Sequence, residues 1–216
     1  MLHLLDRQVV DRDGLLVCKV DDLEVMRTAD DGWEVTGILV GPAALLPRYA
    51  GRGGRRILAV WHQLGIQQEG RDRPWRIGFD LVTSVGSAVH LRVSREAVLK
   101  DEGPDGSAPG RHRLAELIGA EVRWRGESCG KVLDVRLRPT TLNALEVTGL
   151  LIGRARPGAF LGYERRESMG PAWLRGSVRW LMRHSGELPI QAVCAVDWGA
   201  RRIIADDPPG PVTPLG

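Results

Sequence analysis

Lysine is nearly missing from this sequence, with three residues against 27 arginines. So strong a preference points to a GC-rich coding source, and it enlarges every arginine cluster whatever that cluster does. Cysteine is scarce as well. Cys18, Cys129 and Cys194 show no Cys-x-x-Cys or Cys/His spacing, which argues against a disulfide framework and the common zinc patterns and leaves free buried thiols as the expectation. No apolar run approaches the roughly 20 residues that cross a bilayer. The start, Met1-Leu2-His3-Leu4-Leu5-Asp6, turns to charge at once, so no secretory leader is expected and the cytoplasm is the expected compartment. The five histidines (3, 62, 90, 112, 184) are scattered, and no HExxH, GxSxG, Walker or GxGxxG pattern occurs. We therefore expect no catalytic residue, no cofactor and no metal, and not an enzyme.

What is present is a repeat. Trp33-Glu34-Val35-Thr36-Gly37-Ile38-Leu39-Val40-Gly41 returns as Leu145-Glu146-Val147-Thr148-Gly149-Leu150-Leu151-Ile152-Gly153. The surrounding stretches align at an offset of 112, from Leu5 with Leu117 to Gly41 with Gly153, with no gap. Self-similarity at that period in 216 residues reads as two tandem domains. A domain of about 95 residues buries enough surface to fold without staples. The expected layout is repeat one at 1–99, a linker at 100–112, repeat two at 113–205 and a disordered tail at 206–216, rich in proline.

Each repeat reads as strands. Asp13-Gly14 and Gly126 mark hairpin turns. The strand after each turn changes the face of its apolar residues, so a bulge or sharp bend is expected near Asp21-Asp22 and near Leu133-Asp134. Acidic residues there are expected to bond turn amides or arginines rather than form a catalytic carboxylate pair. The repeated nine-residue phrase is the central, most buried strand, and Gly37 and Gly149 inside it predict a close backbone approach. Trp75 to Val93 and Leu188 to Ile204 predict closing hairpins, with turns near Gly86 and Gly199.

Net charge is only +3, yet it is unevenly spread. Leu46–Arg76 and Arg154–His184 each hold seven arginines against two acids. In the first, Gly51 to Arg56 reads as a loop and Ile57 to Leu64 fits either type. In the second, Pro171 at a first turn, Leu174, Val178 and Leu181 in one row and Arg175, Arg179 and Arg183 in another predict a basic amphipathic helix with Trp173 and Trp180. The candidate partner-binding residues are Arg52, Arg55, Arg56, Trp61, Trp173, Arg175, Arg179, Trp180 and Arg183.

The order of these signals, with Gly126, Gly130-Lys131-Val132, Asp134-Val135 and the aliphatic run Val147 to Ile152, resembles the PRC-barrel family. That family is named for the cytoplasmic domain of the photosynthetic reaction centre H subunit and also forms the C-terminal domain of the RimM ribosome maturation factor. Repeat one departs by placing Cys18-Lys19-Val20 at the Gly-Lys-Val step, and it is similar to segments of actinobacterial proteins associated with MgtE-type magnesium transporters. The resemblance implies a mainly β fold of two small tandem barrels, the second with an inserted helix. It implies a scaffold that binds a protein, by family precedent a membrane protein or its cytoplasmic domain, at the membrane periphery. Self-association as a dimer through the tryptophan-bearing faces fits the same reading. The competing reading is RNA or ribosome-assembly binding by the arginines and tryptophans; a third leaves the tryptophans in the core and the arginines as a solvated face.

Overall fold

A computed structural model describes residues 4–41, 43–44, 74–100, 110–141, 144–153 and 185–211. They are mainly β, with a sheet curled as a half-barrel. The basic segments, including the expected helix at 170–184, lie outside the described residues. Two compact units emerge, Leu4–Ala115 with Arg138–Glu146, and Glu116–Leu137 with Val147–Gly216.

In the first unit, β1 (Gln8–Val10) pairs antiparallel with β2 (Leu16–Lys19), as the Asp13-Gly14 signal predicts. β3 (Asp22–Arg27) pairs with the long central strand β4 (Trp33–Val40), and β4 takes β5 (Trp75–Gly78) on its other side. A 3-10 turn, Phe79–Leu81, then leads to the hairpin of β6 (Val82–Val85) and β7 (Val89–Leu91). β7 closes back onto β1 in parallel, with Val9 opposite Val89 and both fully buried. After α1 (Arg95–Lys100), β8 (Arg111–Arg113) adds itself to the outer edge of β3. The helix α2 (Leu114–Leu117) follows.

The second unit repeats the pairings of β1 to β7, though residues 138–146 within its long hairpin group with the first unit. β9 (Glu121–Trp124) forms a hairpin with β10 (Glu127–Thr141), and β11 (Ala144–Gly153) is the central strand. β12 (Gly186–Pro189), a 3-10 turn at Ile190–Ala192, β13 (Val193–Asp197) and β14 (Arg202–Ala205) follow. β14 lies parallel to β9, with Ile203 opposite Val122, again both fully buried. The central pairings match as well: Ile38 faces Ile77 and Leu150 faces Leu188, each at most 1% exposed. Burying an aliphatic side chain of this kind contributes roughly 1.5–3 kcal/mol, so the cores rest on the same columns of the repeat.

Three expectations change. The gapless offset of 112 does not hold at the start, because the Asp6 N–H donates to Val20 O while its counterpart, the Gly119 N–H, donates to Val132 O. Leu4, not Leu5, thus matches Leu117. The reason is the turn: Trp124 and Glu127 register directly, enclosing Arg125 and Gly126 at φ 50 and 85, a two-residue loop of the I′ kind. In repeat one the Asp11 N–H bonds Leu15 O, which encloses one residue more.

The bulges also move. The extra residues are Val17, between the pairs Val9/Cys18 and Val10/Leu16, and Cys129, between Arg123/Ser128 and Val122/Gly130. They sit before the acidic positions; β10 runs on through Leu133-Asp134 without a break, whereas at Asp21-Asp22 the expected interruption is present, β2 ending at Lys19 and β3 starting at Asp22. Finally, the closing segments are each divided by their 3-10 turn, so that β5 and β12 serve the central strands while only the later parts form hairpins. Within the stretch read as a tail, β15 (Gly210–Pro211) pairs with β12.

Candidate partner-binding edges

The nine arginines and tryptophans singled out from the sequence all fall outside the described residues, which therefore bring none of them together. What the described residues do show is how charged side chains and short strands finish the sheet edges.

In the first unit the edge of β3 carries Glu24, whose side chain is 3% exposed between Leu23 and Val25. A buried carboxylate needs partners, and it has three. Arg76 Nε donates to Glu24 Oε1 at 2.8 Å, the Thr36 hydroxyl donates to the same oxygen at 2.8 Å, and Arg111 Nη1 stands 3.7 Å from it. Arg76 also donates through Nη2 to Thr36 O. Its guanidinium lies over Gly37, where a methyl group would sit 3.0 Å from Arg76 Nε. The expected close approach at Gly37 is therefore to a side chain. At Gly149 it is to backbone, with the Leu188 carbonyl oxygen 3.0 Å from such a methyl.

Arg111 belongs to β8, and that makes the cluster a fastening for an added strand. β8 pairs through Arg113 with Glu24, His112 with Val25 and Arg111 with Met26. Arg113 Nη1 donates to Ala43 O at 2.8 Å, and the Ala115 N–H donates to Asp22 Oδ1 at 3.1 Å. Asp22 also accepts the Leu23 N–H, as Asp134 accepts that of Val135, so these acids bond backbone amides as the sequence led us to expect. In the second unit β15 is added to β12 in the same manner, with Glu187 opposite Gly210.

Asp11 is buried as Glu24 and Asp22 are, at 1% exposure. Its Oδ1 accepts the N–H groups of Asp13 and Leu15, and its Oδ2 that of Arg95 at the start of α1. Burial acts to raise its pKa, but the donors at Leu15, Arg95 and Asp13, with the Arg12 guanidinium, outweigh it and hold the carboxyl below its usual range. Glu121 is lowered as well, first by a hydrogen bond from Ser128 and further by Arg123 and Arg202. Cys18 moves the other way. Burial and the Asp21 charge push its thiol up to about 12, the opposite of what a reactive cysteine needs.

Among the described residues no three His, Cys, Asp or Glu side chains gather to hold a metal ion, and no helix is long and apolar enough to cross a membrane. The cluster that sequence reasoning missed is Glu24, Arg76 and Arg111. Its signal was a lone charge inside the apolar run Leu23–Val25. Arg76 had been counted with the first basic segment, yet its side chain is 10% exposed and belongs to the interior.

No protein-family model matches the chain, and no curated protein matches it.

Proposed function

We propose that this chain is a non-enzymatic binding module built from two PRC-type barrels, and that it works as a scaffold for another protein. One observation carries the reading: β8 completes the edge of β3 from outside the repeated core, through backbone pairing and a buried charge. Strand addition at a sheet edge is a general way to take up an extended peptide, with backbone bonds supplying affinity and side chains supplying choice. The matched registers of β4 with β5 and of β11 with β12 support the two-barrel reading. A membrane protein or its cytoplasmic domain is the partner class that the sequence resemblance favours. Arg52, Arg55, Arg56, Trp61, Trp173, Arg175, Arg179, Trp180 and Arg183 supply the surface for it.

The test is capture from a native lysate with solubilised membranes, half of each sample treated with nuclease. A protein retained through nuclease, and lost with Arg175→Glu and Arg179→Glu, supports the scaffold. Ribosomal proteins that disappear with nuclease overturn it in favour of RNA binding.

A further inference from the structure

Among the described residues, the first unit has a sheet edge with no strand beside it. β2 has β1 as its one strand neighbour among the described residues. Beside its outward backbone, Leu15 and Leu16 are 53% and 49% exposed, and Lys19 is exposed too. Sheet edges are ordinarily blunted by charge and by bulges, because an open row of N–H and C=O groups with apolar side chains invites another strand. The second repeat follows that rule. It carries Glu127 and Ser128 where repeat one has Leu15 and Leu16, and keeps the bulge at Cys129 and the lysine at Lys131. Repeat one has the same bulge and lysine but carries two leucines where the second has the acid and the serine.

The chemistry at the two ends of this edge selects its occupant. Asp13, exposed in the turn, precedes Leu16 by the same three residues by which Lys19 follows it. An antiparallel copy of β2, centred on Leu16, sets Leu16 against its own copy across the axis and brings the turn that carries Asp13 in each chain toward the Lys19 end of the other. A two-fold contact uses one patch twice, so it must complement itself, and this one does. Asp13 now pairs with Arg12 at 3.5 Å, both more than half exposed, and such surface pairs yield at little cost. The bulge at Val17 limits the pairing to a few residues, which makes the association weak and concentration-dependent.

We propose that two copies of this chain pair through their β2 edges, held by the Leu15 and Leu16 side chains and by reciprocal Asp13–Lys19 contacts. Sedimentation of the full chain over a wide concentration range is expected to show monomer and dimer in exchange. Lys19→Glu, an exposed change, is expected to weaken the dimer about tenfold or more by setting acid against acid twice. Asp13→Lys added to Lys19→Glu restores it. Leu15→Glu with Leu16→Ser, which installs the second repeat's own residues, abolishes it while the circular dichroism stays that of the parent. A parent chain that remains monomeric throughout overturns the proposal, as does a dimer indifferent to both the charge reversal and the leucine exchange.

Discussion

Glu24 and Arg76 form a cross-strand ion pair that the second unit repeats with its charges exchanged. Glu24 corresponds to Arg136, and Arg76 to Glu187. Arg76 Nε lies 2.8 Å from Glu24 Oε1, and Arg136 Nε lies 3.0 Å from Glu187 Oε1. The inversion has a consequence for folding. Were the closing strand of one repeat to settle on the central strand of the other, Glu24 would face Glu187 and Arg136 would face Arg76. Tandem domains of similar sequence are prone to such exchange, and like charges in an interior oppose it.

The two pairs differ in burial, and that sets the expected cost of breaking them. Glu24 and Arg76 are 3% and 10% exposed, against 17% for each member of the second pair. Arg76→Ala leaves a buried carboxylate with Arg111 as its remaining cation, and is expected to destabilise by about 3–5 kcal/mol. Glu187→Ala, in a wetter site, is expected to cost about 1–3 kcal/mol. Urea unfolding checks both. The exchanged pair Glu24→Arg with Arg76→Glu is expected to recover only part of the loss, since Arg111 then faces an arginine, and to recover more once Arg111→Glu is added.

Asp11 ties the β1–β2 turn to the start of α1, and its depressed pKa gives the tie a pH dependence. A carboxyl that is more acidic in the folded chain than in the unfolded one contributes stability above the unfolded value of about 3.9. That contribution is lost as pH falls through the lower, folded value. Thermal unfolding from pH 6 downward is therefore expected to show the melting temperature falling below about pH 4. Asp11→Asn, which keeps an acceptor oxygen but cannot ionise, is expected to lower stability at pH 6 and to flatten the acid limb. A variant whose acid limb matches the parent's would show that Asp11 is not among the groups responsible.

Strand identity was legible in the sequence where short apolar runs flanked a tight turn, as at Gln8–Lys19 and Val193–Ala205. The repeat located the central strands, because Ile38 and Leu150 occupy one column. Three features were hidden for physical reasons. A turn that is one residue longer leaves almost no trace in an alignment when Leu4 and Leu5 are both apolar, so either matches Leu117. The breaks at Phe79–Leu81 and Ile190–Ala192 occur in β-favouring residues, where tertiary pairing overrides propensity. The ion pair joins residues 52 apart in sequence. It becomes visible only when Glu24 is read beside Arg136 and Arg76 beside Glu187, since an exchange of sign in two columns at once reports contact.

The shared core columns predict equal injuries. Ile38 and Leu150 are 0% and 1% exposed, each opposite another buried aliphatic. Truncating either to alanine removes its transfer energy and leaves a cavity, at a cost of about 2–5 kcal/mol. The two variants are expected to lose similar stability in denaturant titrations. A loss under about 1 kcal/mol in one of them would mean that its central strand is less tightly packed than its burial implies.

The three cysteines differ in environment enough to be told apart by rate. Cys194 is exposed on β13, whereas Cys18 and Cys129 are half-buried. Burial and Asp21 raise the Cys18 thiol to about 12, so at pH 8 its thiolate fraction is on the order of one part in ten thousand, and thiolate is the reacting species. Iodoacetamide at pH 8 followed by peptide mapping is expected to modify Cys194 first, Cys129 later and Cys18 last. Asp21→Asn removes the charge that is one cause of the Cys18 shift and keeps an oxygen able to accept the Gly41 N–H. Cys18 alkylation is then expected to quicken while Cys194 is unchanged. If Cys18 reacts as fast as Cys194 in the parent chain, the β2 strand opens far more often than its pairing with β1 allows.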